Sequence, residues 1–451
     1  MSGRHWATKT IYLWFRDHTC GLVNLVKGSN VQKRFLGMDY RWTLVSILLL
    51  GSLVNYLDRS TLSIANTTIA AQFHFNPIQM GLLLSAFMWP YALASLPAGW
   101  LVDKFGINKI FLCSILLWSL SSILGGLVLG FYTMYLARVL LGIAEAPFFI
   151  IAGKVAQHFF KKKERGLAAS TINLGPRIAN GIAPPILVFL MLLTGWRGMF
   201  IILGILGFIV GVIWIIYYRK EDTNKIKIAS STDKISNQPD EIQKVSIWKL
   251  FKHPTMIWIN IGNIGSSYVF WLYLTWLPDY LIKVKHLSLE KTGIMAAIPF
   301  IAAIFAVMLG GYMSDYFIKN GMATIKARLI PIVGGCIVSG IASIPINYVN
   351  SLWLTMTLIT ISLFAINIIP GVLWAMVGDL APEEAVGTFG GIQNFANFIG
   401  ATLAPIGTGI ILVLSGGNFD WVFITSGIFC LVGAGCYTFI RRPITLAEIV
   451  K

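Results

Sequence analysis

The sequence predicts an all-α integral membrane protein, with twelve transmembrane helices in two six-helix bundles and both termini cytoplasmic. Three observations predict it. The chain has 451 residues, is 56% hydrophobic, and carries only 12% Asp, Glu, Lys and Arg, against about 25% charged residues in ordinary soluble proteins. Apolar runs recur along its whole length, each long enough to cross ~30 Å of hydrocarbon as a helix. One long polar stretch divides those runs six and six. Helices are expected rather than a barrel, because the runs are continuous and do not alternate.

The expected spans are 42–70, 78–101, 108–130, 132–157, 166–193 and 197–218, then 254–282, 291–314, 327–347, 351–378, 386–413 and 419–440. They define a cytoplasmic tail (1–41), a first bundle (42–218), a cytoplasmic linker (219–253), a second bundle (254–440) and a short C-terminal tail (441–451). Arg4, Lys9 and Arg16 interrupt any apolar run near the start, so no cleavable leader is expected and the first span can direct insertion. The linker holds Asp222, Lys225, Ser230, Asp233, Lys234 and Pro239, a composition that packs no core.

A formal net charge of +16 raises the possibility of nucleic acid, but its distribution argues against that. Lys and Arg crowd the N-terminal tail, positions 161–165, the segment 219–252 and Arg441–Arg442. The opposite loops are nearly bare, apart from Arg197, Lys283, Lys285 and Lys291. This is the positive-inside pattern, and the basic excess is a topology signal. The five cysteines (Cys20, Cys113, Cys336, Cys430, Cys436) show no metal-ligand clustering and are expected as free thiols. No nucleotide-binding glycine loop or nucleophile constellation appears, so neither an enzyme nor a cofactor is expected.

Five ionisable residues lie deep in apolar runs, all before residue 180: Asp58, Arg59, Arg138, Glu145 and Arg177. A charge at the bilayer centre costs roughly 3 kcal/mol on insertion scales, so such residues face a cavity, a partner or a substrate path. The embedded polar residues of the second half are read as neutral.

A weak internal repeat supports two halves. Gly99, Asp103, Lys104 and Gly106 close the second span, and Gly311 and Asp315 close the eighth, six spans later. Paired bundles related by an axis along the membrane normal are a common transporter construction. Gly99, Leu101, Asp103, Lys104, Gly106 and Lys109 resemble the signature loop of the major facilitator superfamily. The run from Arg138 to Pro147, with Gly142 and Glu145, resembles that superfamily's fourth-helix motif. Together with Asn55, Tyr56, Leu57, Asp58 and Arg59 it resembles the anion:cation symporter branch, whose members carry sugar acids, hexuronates and related organic anions. The resemblance covers 42–440.

In the first span, Asn55, Asp58 and Thr61 form a polar stripe, with Arg59 about 100° further round the helix. The alternatives are a proton-carrying Asp beside an anion-binding Arg, or a structural ion pair to a neighbouring helix. Arg138 and Glu145 stand two turns apart on one face, ~10.5 Å along the axis. Burial and a nearby arginine act on a carboxyl in opposite senses, which can poise it between two protonation states. A purely structural Arg138–Glu145 pair is the alternative. The resemblance implies that Asp58 and Glu145 carry protons, that Arg59 touches substrate, and that Arg138 is a gate or anion contact. Tyr56 and Tyr91 join the substrate site on the same ground, and Trp374 and Asn394 match cavity-lining positions.

The fifth span carries Asn173, Arg177 and Asn180 at i, i+4 and i+7. Related carriers often have glutamine just after the glycine matching Gly175. Here Pro176 stands there and Arg177 follows, which suggests a more highly charged anion or a lasting partner for Glu145. In the second half, Asn260, Asn263 and Ser267, then Asn367, then Gln393, Asn394 and Asn397 either bind hydroxyls or lace helices together. Glycines 387, 390, 391 and 400 are expected to let the eleventh span approach a neighbour. Trp89 and Pro90 are expected to kink the second. Asp103, Lys104 and Asp315 are expected to gate the cytoplasmic end.

The expectation is therefore a proton-coupled importer of a small organic anion, a sugar acid or similar carboxylate. Its partners would be that anion, protons and the lipid bilayer, without nucleic acid, and the chain would be a monomer of a bacterial inner membrane. An exporter, a proton antiporter or anion exchanger, and a non-transporting sensor are the alternatives.

Overall fold

The computed structural model describes residues 39–160, 162–218, 246–382, 385–440 and 442–449. Most of the N-terminal tail and most of the linker therefore lie outside the described residues, as do Cys20, Lys161 and Arg441. Among the described residues every regular element is helical and there is no strand.

Helix α1 (Tyr40–Phe73) ends at His74, whose left-handed backbone (φ 56°) turns its N–H onto the Ala70 carbonyl. Helix α2 (Pro77–Ser85) starts with proline in its first turn and a reciprocal cap between Asn76 and Gln79, satisfying donors that a helix start otherwise orphans. Helix α3 (Met88–Phe105) continues the same crossing after a break at Ala86–Phe87. Pro90 has no N–H to give the Ala86 carbonyl, so the ladder is interrupted where the sequence places a kink. Helix α4 (Ile107–Gly126) follows Gly106, at φ 85°. The expected fourth span is likewise split, into α5 (Phe131–Glu145) and α6 (Phe148–Phe159), at Ala146–Pro147.

Helix α7 (Lys162–Tyr217) runs for 56 residues with one non-helical residue, Gly195 at φ 71°. The two expected spans thus turn on a single glycine rather than on a loop. After the linker, Ser246 caps the short α8 (Ile247–Lys252), and α9 (Pro254–Lys283) and α10 (Leu289–Lys319) follow. Helix α11 is Thr324–Ser343. The expected tenth span breaks at Ile368 into α12 (Leu352–Asn367) and α13 (Ile369–Leu380), with Pro370 in the new first turn. Helices α14 (Val386–Leu414), α15 (Asp420–Thr438) and the short α16 (Leu446–Ile449) complete the chain.

Nine helical segments among the described residues are long and apolar enough to cross a membrane, and Glu164–Tyr217 is one of them. Helices α1 and α9 are 34 and 30 residues long but lie outside those nine; they carry the polar stripes of Asn55, Asp58 and Arg59 and of Asn260, Asn263 and Ser267. Large apolar side chains such as Leu96, Leu129 and Phe189 are exposed around the bundle, as a lipid-facing surface requires.

Within each half the helices close on small residues and freed carbonyls. Pro176 cannot donate to Ile172, and the Ser52 hydroxyl of α1 donates to that carbonyl instead at 3.1 Å. A side chain at Gly175 would collide with the same serine. In the second half Gly400 packs on the Ile264 carbonyl, as expected of it, and Gly390 on Trp374. Gly387 and Gly391 instead face open space, which differs from the expectation.

The halves meet most closely at the end where α1 turns into α2. A β-carbon at Gly81 would lie 2.4 Å from the Pro405 carbonyl oxygen, and one at Gly409 would lie 2.3 Å from that of Pro77. Gly293 is pressed against Val188 and Pro184 in the same way. Ser63 donates across the interface to the Leu274 carbonyl at 2.8 Å, which Pro278 leaves without its helical donor. At the opposite end the ion pairs among the described residues stay within their own halves, and Gly99, Gly311 and Gly378 have nothing within 4 Å of a would-be β-carbon. There the C-terminal segment folds back: Ser246 donates its N–H to Ile449, Ile444 to Leu380, and Glu448 accepts from Arg442 and from the Thr445 N–H.

Candidate binding and coupling site

The broken crossings surround the buried charges. Glu145 is the last residue of α5, beside the Ala146–Pro147 break, and its side chain is 0% exposed. Its Oε2 accepts from Arg59 Nε of α1 at 2.9 Å, with Arg59 itself 2% exposed. The alternative of a structural Arg138–Glu145 pair is not what forms: facing α1 and α5 bring Arg59 nearer to Glu145 than two turns of one helix bring Arg138. The Arg59 guanidinium lies 4.4, 4.7 and 4.8 Å from the ring centres of Tyr56, Phe87 and Tyr91. Such a cage favours a cation through the ring quadrupoles. Phe398 of α14 backs the cage, its ring 4.8 Å from that of Tyr91, so both halves contribute.

Arg138 reaches α1 at another point. It donates to Thr61 Oγ1 at 2.7 Å and to the Asp58 main-chain carbonyl at 3.3 Å, and lies over the Phe200 ring. The Asp58 carboxylate accepts from Ser122 of α4 at 2.9 Å and forms no direct ion pair with its neighbour Arg59. Asp58 Oδ2, Glu145 Oε1 and Arg59 Nη2 are buried without a hydrogen-bond partner among the described residues. Leaving such atoms unpaired costs about 1–3 kcal/mol each, and more for charged groups; a proton or an anion would satisfy them. A cavity lies between the two arginines, closed off by Leu84, Met88, Trp271 and Leu274.

Arg177, half-buried on α7, donates to Asn367 Oδ1 across the two halves at 3.3 Å, so it does not partner Glu145. Asn180 is buried nearby in sequence, whereas Asn173 bonds its own helix at Ala169 and is exposed. Asn263 and Ser267 donate to the Gln393 and Asn397 carbonyls, which is helix lacing. Tyr273 joins Ser343 and Ser362 in a buried hydroxyl chain. Trp374 is 54% exposed and Asn394 half-buried, and neither lines the cavity between the two arginines.

The three expected gating residues lie at the far end. Asp103 pairs closely with Lys154 of α6, Lys104 sits over Trp100 and Phe105, and Asp315 pairs with Arg328 at 2.9 Å. Arg328 also holds Asp379 at 2.9 Å. One buried acid departs from the expectation that the embedded polar residues of the second half are neutral: Asp279 on α9 is 0% exposed and pairs with Lys283 at 3.0 Å. The second half is therefore not free of embedded charge. The rule that singles out Asp58 finds Asp279 as well. Phe87 and Ser122 carry no comparable signal, because an apolar run is full of such residues.

Among the described residues no cluster of His, Cys, Asp and Glu could hold a metal ion. The Major Facilitator Superfamily model matches residues 48–405. The chain is 35% identical to the probable L-galactonate transporter of Escherichia coli (strain K12) over 407 residues, 89% of this chain and 90% of that protein. It is 31% identical to the probable galactarate/D-glucarate transporter GarP of Escherichia coli (strain K12), covering 93% of this chain and 99% of that one. A bacterial homolog to the human lysosomal transporter Spinster, solved inward-facing and occupied, shares the fold at a TM-score of 0.76 and 18% identity, over 91% of this chain and 99% of that one.

Proposed function

Because the chain belongs to the Major Facilitator Superfamily and is a multi-pass membrane transporter of the sugar-acid kind rather than an enzyme, we propose that it imports a sugar-acid anion together with protons. The relatives' names cover acids with one carboxylate and with two. The reading rests chiefly on one observation, the buried Arg59–Glu145 pair inside an aromatic cage.

A substrate carboxylate and Glu145 compete for the same guanidinium. Protonating Glu145 removes its charge and frees Arg59, so anion binding and proton loading favour each other. Asp58, held by Ser122 beside Arg138, is the second proton site in this reading. Arg138 anchors α1 through Thr61 and the Asp58 carbonyl and turns its remaining donors to the cavity. Tyr56 and Tyr91 hold Arg59 in place, and Trp374 and Asn394 line the approach. Twelve crossings with cytoplasmic termini, the 54-residue segment dividing at Gly195, would put Asp103, Lys104 and Asp315 at the cytoplasmic end. There they gate the path as the halves rock about the site in a single chain. The host membrane would be a bacterial inner membrane.

Proteoliposomes loaded at neutral pH and diluted into acid provide the test. The wild type is expected to accumulate labelled sugar acid. Asp58→Asn and Glu145→Gln should abolish accumulation while keeping exchange of substrate for substrate. Full acid-driven accumulation by both variants would sink the proton assignment.

A further inference from the structure

Of the three arginines set deep in apolar runs, only Arg177 has a neutral side-chain partner reaching in from the opposite half. Arg59 is matched by Glu145. Arg138 is occupied by Thr61 and a main-chain carbonyl beside the Asp58 carboxylate. Arg177 makes one hydrogen bond among the described residues, a long one to the Asn367 amide oxygen, and no carboxylate there pairs with it. A guanidinium carries five donors in a planar fork that suits a carboxylate. The side chain is half-buried, and its remaining nitrogens are not among the buried polar atoms lacking a partner. Its one partner, Asn367, belongs to the opposite half, so the guanidinium stands at the contact between the halves with donors to spare.

Two further features point the same way. Tyr56, whose ring lies 4.4 Å from Arg59, also interacts electrostatically with Arg177. Asn367 ends α12 at the Ile368 break, its amide nitrogen spent on the Leu363 carbonyl. It presents an acceptor that an incoming anion can displace without stranding a charge. The local backbone is committed to this placement: Ser52 occupies the carbonyl freed by Pro176, one residue before.

We infer that Arg177, released from Asn367, binds the second carboxylate of a sugar acid that carries one at each end, making the carrier selective for dianionic over monoanionic sugar acids. This rests on the proposed sugar-acid transport. One carboxylate takes Arg59 in the first half's cage, and the other engages Arg177 at the seam between the halves. A monoacid leaves Arg177 on Asn367 and forgoes that contact.

The test is competition, by a six-carbon aldaric diacid and the matching aldonic monoacid, for binding to purified protein, repeated as counterflow in proteoliposomes. The wild type is expected to prefer the diacid at least tenfold. Arg177→Gln should lower that ratio at least tenfold, and Arg177→Lys should restore part of it. Asn367→Asp supplies Arg177 with a resident carboxylate and should lower the ratio too, which keeps the test available if Arg177→Gln fails to fold. A wild type that binds neither acid overturns the sugar-acid reading and this inference with it. A wild type that binds both equally, or an Asn367→Asp variant with an unchanged ratio, overturns the role of Arg177 alone.

Discussion

Gly81→Val tests whether the contact between α2 and α14 sets the balance between the two ends of the molecule. The glycine's would-be β-carbon lies 2.4 Å from the Pro405 carbonyl oxygen and 3.2 Å from its carbon. Dispersion is optimal near 3.5–4.0 Å, so the helices must part by roughly 1 Å, which forfeits a quarter to a half of each contact around the site. Overpacking of this kind costs about 1–3 kcal/mol. The obstacle is main chain and cannot rotate away, which places the cost near the top of that range. At about 3 kcal/mol the closed arrangement loses roughly 150-fold in population against one open at this end. Spin labels at Ala71→Cys and Leu414→Cys, exposed on opposite halves at that end, report the change by pulsed dipolar spectroscopy with the native cysteines replaced. A new longer distance is expected in Gly81→Val and again in Gly409→Val, whose reciprocal contact with Pro77 is as close. An unchanged distance distribution in both would refute the claim that these glycines hold the end shut.

Three other outcomes are expected. Arg59→Met should destabilise the detergent-solubilised protein by about 3–5 kcal/mol by stranding Glu145, and the Arg59→Met/Glu145→Met double variant should recover most of it; thermal unfolding of the three proteins checks the cycle. Ser52→Ala should cost about 1–3 kcal/mol by orphaning the Ile172 carbonyl, and Pro176→Ala in that background should recover part by restoring the helical donor, read in the same assay. At the surface, hydrogen bonds from Thr445 and Arg442 hold the Glu448 carboxyl down at about 2. A depressed carboxyl contributes stability above its ordinary range and loses it as pH falls toward the folded value. Amide exchange over 246–252 should therefore stay slow from neutral pH to below the ordinary carboxylate range, and quicken in Glu448→Gln.

The helical fold and the buried charges before residue 180 were legible because a bilayer makes each deviation from apolarity expensive. Partnership among those charges was not. Sequence spacing relates Arg138 to Glu145 along one helix, but Arg59 wins because α1 and α5 face each other, and no periodicity within one chain segment reports that. The break at Pro90 was visible, because proline there interrupts an apolar run. The rescue of freed carbonyls by Ser52 and Ser63 depends on a neighbouring helix and was invisible. Asp279 was legible in principle, since its apolar surroundings give it the same signal as Asp58.

The glycines that touch nothing have a consequence of their own. Gly81, Gly293 and Gly409 are jammed against the opposite half, whereas Gly99, Gly311 and Gly378 face open space at the other end. The chain thus engages one seam of small residues and leaves small residues unengaged at its other end. Closing the idle seam as the engaged one parts would trade contact for contact, so neither arrangement need be much the deeper well. A protein that mated both seams at once would be a plug, and one that mated neither a pore. Bulk added at the idle glycines should therefore leave the arrangement seen here intact and stall the molecule in it.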